Sequence, residues 1–164
     1  MFSRVSLILF SVLLSSCVST NSQRISEITI ESITPKFMVH DQFVSINEYL
    51  TGKENKKNRL IIRSDESERE GLYLVLSLNK SARLLPPDTS IICEIYLPGN
   101  INPEVFEFPL PRINKFPNNK DILLGFTGKN WTYGNESLPT AWKITLVDSK
   151  NSVIAEKSSQ VWSL

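Results

Sequence analysis

Apolar and polar residues alternate along most of the chain after residue 27, with the period of two that is typical of β-strands. The clearest run places Leu72, Leu74, Leu76 and Leu78 on one face. Successive side chains of a strand point to opposite faces, so each run is expected to have one face on a core and one in water. The same pattern recurs in Ile28–Ile30, Leu60–Ile62, Ile91–Leu97, Phe106–Leu110, Ile122–Phe126, Trp142–Leu146 and Val153–Trp162.

Turn-forming residues separate these runs, in clusters such as Pro86-Pro87-Asp88 and Asp148-Ser149-Lys150-Asn151. The 9 prolines disfavour long helices, and only Ser45 to Leu50 is expected to form a helical turn. Seven or eight strands joined by short turns predict an all-β fold over residues 25–164. The predicted architecture is an antiparallel two-sheet β-sandwich with immunoglobulin-like topology.

The N-terminal segment has a different pattern. From Val5 to Leu14 nearly every residue is Val, Leu, Ile, Phe or Ser, after the single basic residue Arg4. This apolar run is too short to span a bilayer and is followed by small residues, which is typical of a cleavable export signal. Residues 1–16 are therefore predicted to be a signal peptide that is removed during export.

The four residues Leu14-Ser15-Ser16-Cys17 resemble the lipobox of bacterial lipoproteins. This resemblance implies that Cys17 is lipidated and becomes the first mature residue, with residues 17–24 as a polar tether to the membrane. Several acyl chains on Cys17 would make the attachment durable. The resemblance further implies the bacterial cell envelope, at the periplasmic face of the outer membrane, because no Asp follows Cys17. The alternative is an ordinary secretory signal whose cleavage site lies near a Cys.

Charge and composition favour neither nucleic acid nor a metal as partner. The chain has 18 Lys and Arg against 17 Asp and Glu, and Arg4 belongs to the leader, so the exported part is balanced. A single histidine excludes a site with several histidine ligands. No cofactor is expected. If Cys17 is lipidated, Cys93 has no cysteine left to pair with.

Two residues invite a catalytic interpretation. Cys93 would need a nearby base or cation to act as a nucleophile, but it is in register with Ile91 and Ile95 on an apolar face, so a buried core thiol is predicted. His40 precedes Asp41 directly, and adjacent residues of a strand point to opposite faces. His40 is therefore predicted to be a surface histidine.

Two loops are rich in charge. Asp65, Glu66, Glu68 and Glu70 form an acidic loop, but the ordered spacing and glycine turn of a calcium loop are missing. A basic loop contains Lys53, Lys56, Lys57 and Arg59. In one interpretation, these charges lie near lipid headgroups. For both, a solvated loop is the simpler expectation.

The segment that follows Phe126 contains Trp131 and Tyr133 among glycines and polar residues. Aromatic side chains exposed in a loop often anchor a sugar or a protein partner, so these two residues are candidates for a partner-binding loop. The alternative is that Trp131 folds back and caps one end of the sandwich.

Two functions follow from these observations. The first is a non-catalytic binding or structural lipoprotein that contacts an envelope protein or glycan. In size, lipobox and strand content, the chain resembles the small sandwich lipoproteins of secretion-system membrane complexes. The alternative is an envelope hydrolase acting on glycan or peptide. Glu94, Glu104 and Glu107 are available for it, but their spacing does not mark a catalytic pair.

Overall fold

The computed structural model describes residues 27–54, 56, 59–111, 118–134 and 137–162. The leader, Cys17 and the whole of the predicted tether lie outside these residues. The described chain forms two four-stranded sheets, which confirms the predicted all-β sandwich. Its strands are β1 (Ile30–Met38), β2 (Leu60–Arg63), β3 (Gly71–Leu78), β4 (Ser90–Tyr96), β5 (Glu104–Pro109), β6 (Asp121–Thr127), β7 (Ala141–Val147) and β8 (Val153–Ser158).

The strand order is β1-β3-β6-β2 in sheet 1 and β5-β4-β7-β8 in sheet 2. Without β2, sheet 1 contains β1, β3 and β6, and sheet 2 contains β4, β5, β7 and β8. When these seven strands are counted in chain order, sheet 1 contains the first, second and fifth, which is an immunoglobulin-like arrangement. The sheets are antiparallel, as predicted, except that β2 pairs with β6 in parallel. Parallel strands require a long crossover connection, and the 21 residues between β1 and β2 are enough for one.

The core lies between the two sheets. All four leucines of β3, from Leu72 to Leu78, are fully buried on the inner face of sheet 1, as predicted. Ile91, Cys93 and Ile95 of β4 are fully buried in the same core cluster. The burial of Cys93 confirms the predicted register of β4. Interdigitating side chains of two inner faces are the usual core of a sandwich.

The outer face of sheet 1 is also covered, which the alternating pattern did not predict. Phe43, from the connection between β1 and β2, packs on Tyr73 with ring centroids 5.0 Å apart. Both residues are buried, and Met38, Ile61 and Leu123 complete this second apolar cluster. Tyr73 lies on the face of β3 opposite the leucines and was expected to face water. That expectation is wrong because Phe43 packs over this face.

The same connection contains a short helix, α1 (Ile46–Thr51), which confirms the predicted helical turn. The Ser45 hydroxyl accepts the backbone N–H of Glu48 at 3.3 Å and caps its start. Gly52 ends it in the left-handed conformation at a φ of 66°. Within the described residues, no helix is long and apolar enough to cross a membrane.

Candidate functional site

The two ends of sheet 1 differ in what they present. At one end, the Asn79 side chain accepts the backbone N–H of Thr29 at 3.0 Å and donates to the Glu27 carbonyl at 2.9 Å. These bonds fix the point where the N-terminal segment enters the domain. The opposite end is about 27 Å away, the length of the eight-residue strand β3. There, the last residues of β1 and β6 and the first of β3 meet three loops.

A cleft of about 420 Å³ opens at this second end. Its apolar walls are Phe37, from β1, and Trp131, from the loop after β6. Its polar walls are Glu68 and Glu70, with Thr132 beside Trp131, and the backbone of Gly71, Gly128 and Gly134 completes the lining. Aromatic surface next to a few polar groups is the usual composition of a ligand site.

Trp131 is both a core residue and a wall of this cleft. Its side chain is 7% exposed and belongs to the main core cluster. The indole Nε1 donates to the Gly134 carbonyl at 3.1 Å, and the ring lies 5.2 Å from that of Tyr133, centroid to centroid. Trp131 therefore caps this end of the sandwich, and the partly buried Tyr133 packs against it. The side-chain surface that this loop leaves accessible to a partner therefore belongs chiefly to Tyr133 and Thr132.

The acidic loop is held against the end of β6. The Thr127 hydroxyl donates to the Asp65 carbonyl at 2.8 Å and accepts the Asp65 N–H at 3.1 Å. The Asp65 carboxylate accepts two bonds from Ser67, which lower the pKa of Asp65. A side chain on Gly128 would meet this carboxylate at 2.7 Å from its Cβ. The positions of Glu68 and Glu70 are thus set by a loop that is itself bonded to sheet 1.

Behind the loop lies a buried polar network that sequence reasoning did not find. Arg63 Nε donates to the Tyr73 hydroxyl at 2.9 Å, and its two terminal nitrogens bind the Glu54 carboxylate at 2.8 and 3.3 Å. The Tyr73 hydroxyl in turn donates to the Arg69 carbonyl at 2.8 Å. The guanidinium of Arg63 also lies over the Phe43 ring, 5.0 Å from its centroid.

The network shifts the protonation equilibria of its members. The hydrogen bond from Arg63 lowers the pKa of Glu54. Burial raises the pKa of Tyr73, although Arg63 opposes this shift. For Arg63 itself, burial acts to lower the pKa, but the bonds to Glu54 and Tyr73 outweigh it and raise the pKa. All three groups therefore keep their neutral-pH protonation states, which suits a rigid support rather than a proton-transfer site.

The other residues that sequence reasoning singled out are dispersed. Burial, and then the neighbouring Glu94, raise the pKa of Cys93 well above its ordinary value, which disfavours the thiolate. His40 is exposed in a 3₁₀ turn, His40–Gln42. Lys143 Nζ lies 3.5 Å from Glu94, and Glu104 accepts a bond from Asn100 at 3.0 Å. Across the described ranges, no three His, Cys, Asp or Glu side chains are grouped so as to hold a metal ion.

A second surface feature lies on α1. Ile46, Tyr49 and Leu50 are 82%, 81% and 80% exposed. Their spacing places them on one side of the helix. The opposite side faces the domain, where Glu48 binds Arg69 at 2.6 Å. These three side chains therefore form a contiguous apolar patch, and such patches on proteins are often functional.

Compared with family models, with curated proteins and with solved structures, the chain gives no match. Its function must therefore be inferred from its own side chains. Residue composition singled out Trp131 and the acidic loop, but nothing in the sequence indicated that Phe37 lies beside them. Phe37 lies in an ordinary strand, and only the pairing of β1 with the start of β3 brings it to the cleft.

Proposed function

We propose that this protein is a lipid-anchored binding protein of the bacterial cell envelope, whose sandwich domain contacts an envelope protein or glycan through the cleft beside Trp131. The observation that carries the proposal is the position of that cleft. It lies at the end of sheet 1 opposite to residues 27–29, where the tether from Cys17 enters the domain. The proposed tether therefore does not obstruct the cleft.

The lining of the cleft supports a binding role. Trp131 and Phe37 offer apolar surface, and the exposed carboxylates of Glu68 and Glu70 offer hydrogen-bond acceptors. At Gly134 no atom lies within 4 Å of where a Cβ would be, so a ligand can approach the backbone closely there. A sugar ring or a short peptide with donor groups meets both requirements.

The non-catalytic part of the proposal is supported by the positions of the candidate nucleophile and base. Cys93 is fully buried between the sheets, and His40 lies in an exposed turn. Neither residue lines the cleft. The carboxylates of the cleft serve as hydrogen-bond acceptors in this proposal, and turnover of a glycan or peptide by the purified protein would overturn it.

The anchor is tested by the intact mass of the protein purified from its native membrane. A chain that begins at Cys17 and carries acyl chains supports the proposal, and Cys17→Ala is expected to abolish the modification while the domain stays folded. An unmodified chain that is recovered in the soluble fraction would contradict the anchor.

The cleft is tested by photocrosslinking in whole cells. A crosslinking side chain at Thr132, which is exposed and lines the cleft, is expected to give a defined adduct. The same side chain at Lys150, in the exposed turn between β7 and β8, serves as the control. Glu70→Lys should remove the Thr132 adduct because it reverses the charge of one wall. Equal adducts from both positions, or none from Thr132, would contradict a binding role for the cleft.

A further inference from the structure

We infer that the outward side of α1 is a second membrane contact, which lays the sandwich flat on an anionic phospholipid surface. The inference rests on the proposed lipid anchor, but it concerns a different surface from the cleft. It starts from the three apolar side chains of α1 that are at least 80% exposed: Ile46, Tyr49 and Leu50. A tyrosine between aliphatic residues is a typical side chain of the membrane–water interface.

The helix is fixed to the domain, so its apolar side has a defined direction. Ser45 caps its start, Gly52 ends it, and the Gly52 N–H donates to the Glu48 carbonyl at 2.8 Å. The Glu48 carboxylate binds Arg69 on the domain side. Just before α1, Phe43 is packed on Tyr73 above the outer face of sheet 1. The exposed side of α1 therefore points away from sheet 1.

The charges around this apolar side favour an anionic surface. Both carboxylates of residues 46–54 bind arginines of the domain, Glu48 with Arg69 and Glu54 with Arg63. Lys53 lies two residues after the end of the helix, Lys56 lies three residues further, and both are exposed. Among the described residues from 45 to 56, the exposed charged side chains are therefore those of Lys53 and Lys56. Lysines beside an apolar helix face add electrostatic attraction to anionic lipid.

The size of the patch favours a membrane over a second copy of the chain. Three side chains of this kind present on the order of 400 Å², whereas a stable protein interface needs about 800 Å² on each partner. A membrane contact can be weak, because the anchor at Cys17 already holds the domain at a high effective concentration.

The geometry allows both attachments at once. The tether enters at the Thr29 end of sheet 1, and α1 lies towards the other end, about 27 Å away along β3. The ten residues from Cys17 to residue 26 reach at most about 35 Å. With sheet 1 towards the lipid, the tether needs to span only the height of the domain above the surface. The outer face of sheet 2 then remains uncovered.

The test uses the mature chain, beginning at Cys17 without acylation and coupled through that thiol to a maleimide lipid in vesicles. Cys93 is buried and does not compete for the coupling. Vesicles of phosphatidylethanolamine and phosphatidylglycerol are compared with neutral phosphatidylcholine vesicles. The readout is the acetylation rate of individual lysine amines, followed by mass spectrometry, with exposed Lys150 as the internal standard.

On the anionic vesicles, Lys53 and Lys56 are expected to be labelled about fivefold more slowly than in the uncoupled chain, which corresponds to docking of about four fifths of the molecules. Lys150 should keep its rate. The double variant Ile46→Ser/Leu50→Ser should restore labelling of both lysines. Ile101→Ser, at a 91% exposed position between β4 and β5, is the matched control and should restore nothing.

Unchanged labelling of Lys53 and Lys56 on coupled vesicles would overturn the inference, as would equal protection in the double variant. Protection that arises at high protein concentration without vesicles would assign the patch to a second copy and would also overturn it. Because the coupling replaces natural acylation, these outcomes are independent of whether Cys17 is lipidated in the cell. Failure of the lipid-anchor proposal would appear separately, in the intact mass.

Discussion

Gly125 leaves the space in which the ring of Tyr73 lies. The two residues are a cross-strand pair of β6 and β3. A Cβ on Gly125 would come within 2.5 Å of Tyr73 Cε1 and 2.8 Å of Cζ. Because Gly125 has no side chain, the Tyr73 ring can lie close to β6. In this position its hydroxyl accepts a bond from Arg63 and donates one to the Arg69 carbonyl. The polar network above sheet 1 thus depends on the absence of a side chain in the strand below it.

Gly125→Ala is accordingly expected to lower the free energy of unfolding by about 1–3 kcal/mol, because overpacking displaces the Tyr73 ring. Urea denaturation measures the change. In a Tyr73→Leu background the same substitution should cost much less, since the shorter side chain leaves room for the added methyl. Equal costs in the two backgrounds would show that the ring does not depend on Gly125.

The ion pair of Glu54 with Arg63 predicts a specific sensitivity to acid. The hydrogen bond from Arg63 lowers the pKa of Glu54 below its ordinary value of 4.5. The folded state therefore prefers the carboxylate more strongly than the unfolded state does. This stabilisation is complete above the ordinary pKa and is lost as the pH falls through the lowered pKa of the folded protein.

Glu54→Gln should cost about 1.5–3 kcal/mol at neutral pH, where it removes a charged hydrogen-bond acceptor from buried Arg63. The difference from the unmodified chain should shrink as the pH falls below 4.5. Urea denaturation at a series of pH values tests both statements, and Glu66→Gln, at an exposed position of the acidic loop, is the control. A difference that is the same at every pH would exclude Glu54 as a source of acid sensitivity.

The alternating pattern predicted the interior of the sandwich because an inner face depends only on local periodicity. The leucines from Leu72 to Leu78 and the face of Cys93 lie where a period of two puts them. The same logic failed at Tyr73, on the other face of β3. That face is buried by Phe43, which lies 30 residues earlier in the chain and whose position the sequence of β3 does not encode.

The parallel pairing of β2 and the burial of Arg63 were missed for a related reason. An arginine is rarely buried without a partner, and the partner here, Glu54, lies in an irregular segment nine residues earlier. The contiguous apolar residues Leu60 and Ile61, one for each face, were the available signal that both faces of β2 are covered. The cleft is lined by residues of β1, the acidic loop and the loop after β6, so no single stretch of sequence predicts it.

The environment of Cys93 predicts that its thiol is inert in the folded protein. It is fully buried between the sheets, and its raised pKa keeps the thiol protonated at neutral pH. In a chain that begins after Cys17, labelling by a thiol reagent should proceed only as fast as the domain unfolds. Urea should accelerate it in parallel with unfolding. Rapid labelling under native conditions would contradict the register of β4.

Substitution of Trp131 distinguishes the two roles predicted for its loop, which are to bind a partner and to cap one end of the sandwich. If Trp131 caps the core, as its burial and its bond to Gly134 indicate, Trp131→Ala should lower the free energy of unfolding by about 3–5 kcal/mol. Tyr133→Ala should cost clearly less, because Tyr133 is only partly buried. Urea denaturation of both variants gives the comparison. A Trp131→Ala variant as stable as the unmodified chain would mean that the ring contributes little to the core and is available to a partner instead.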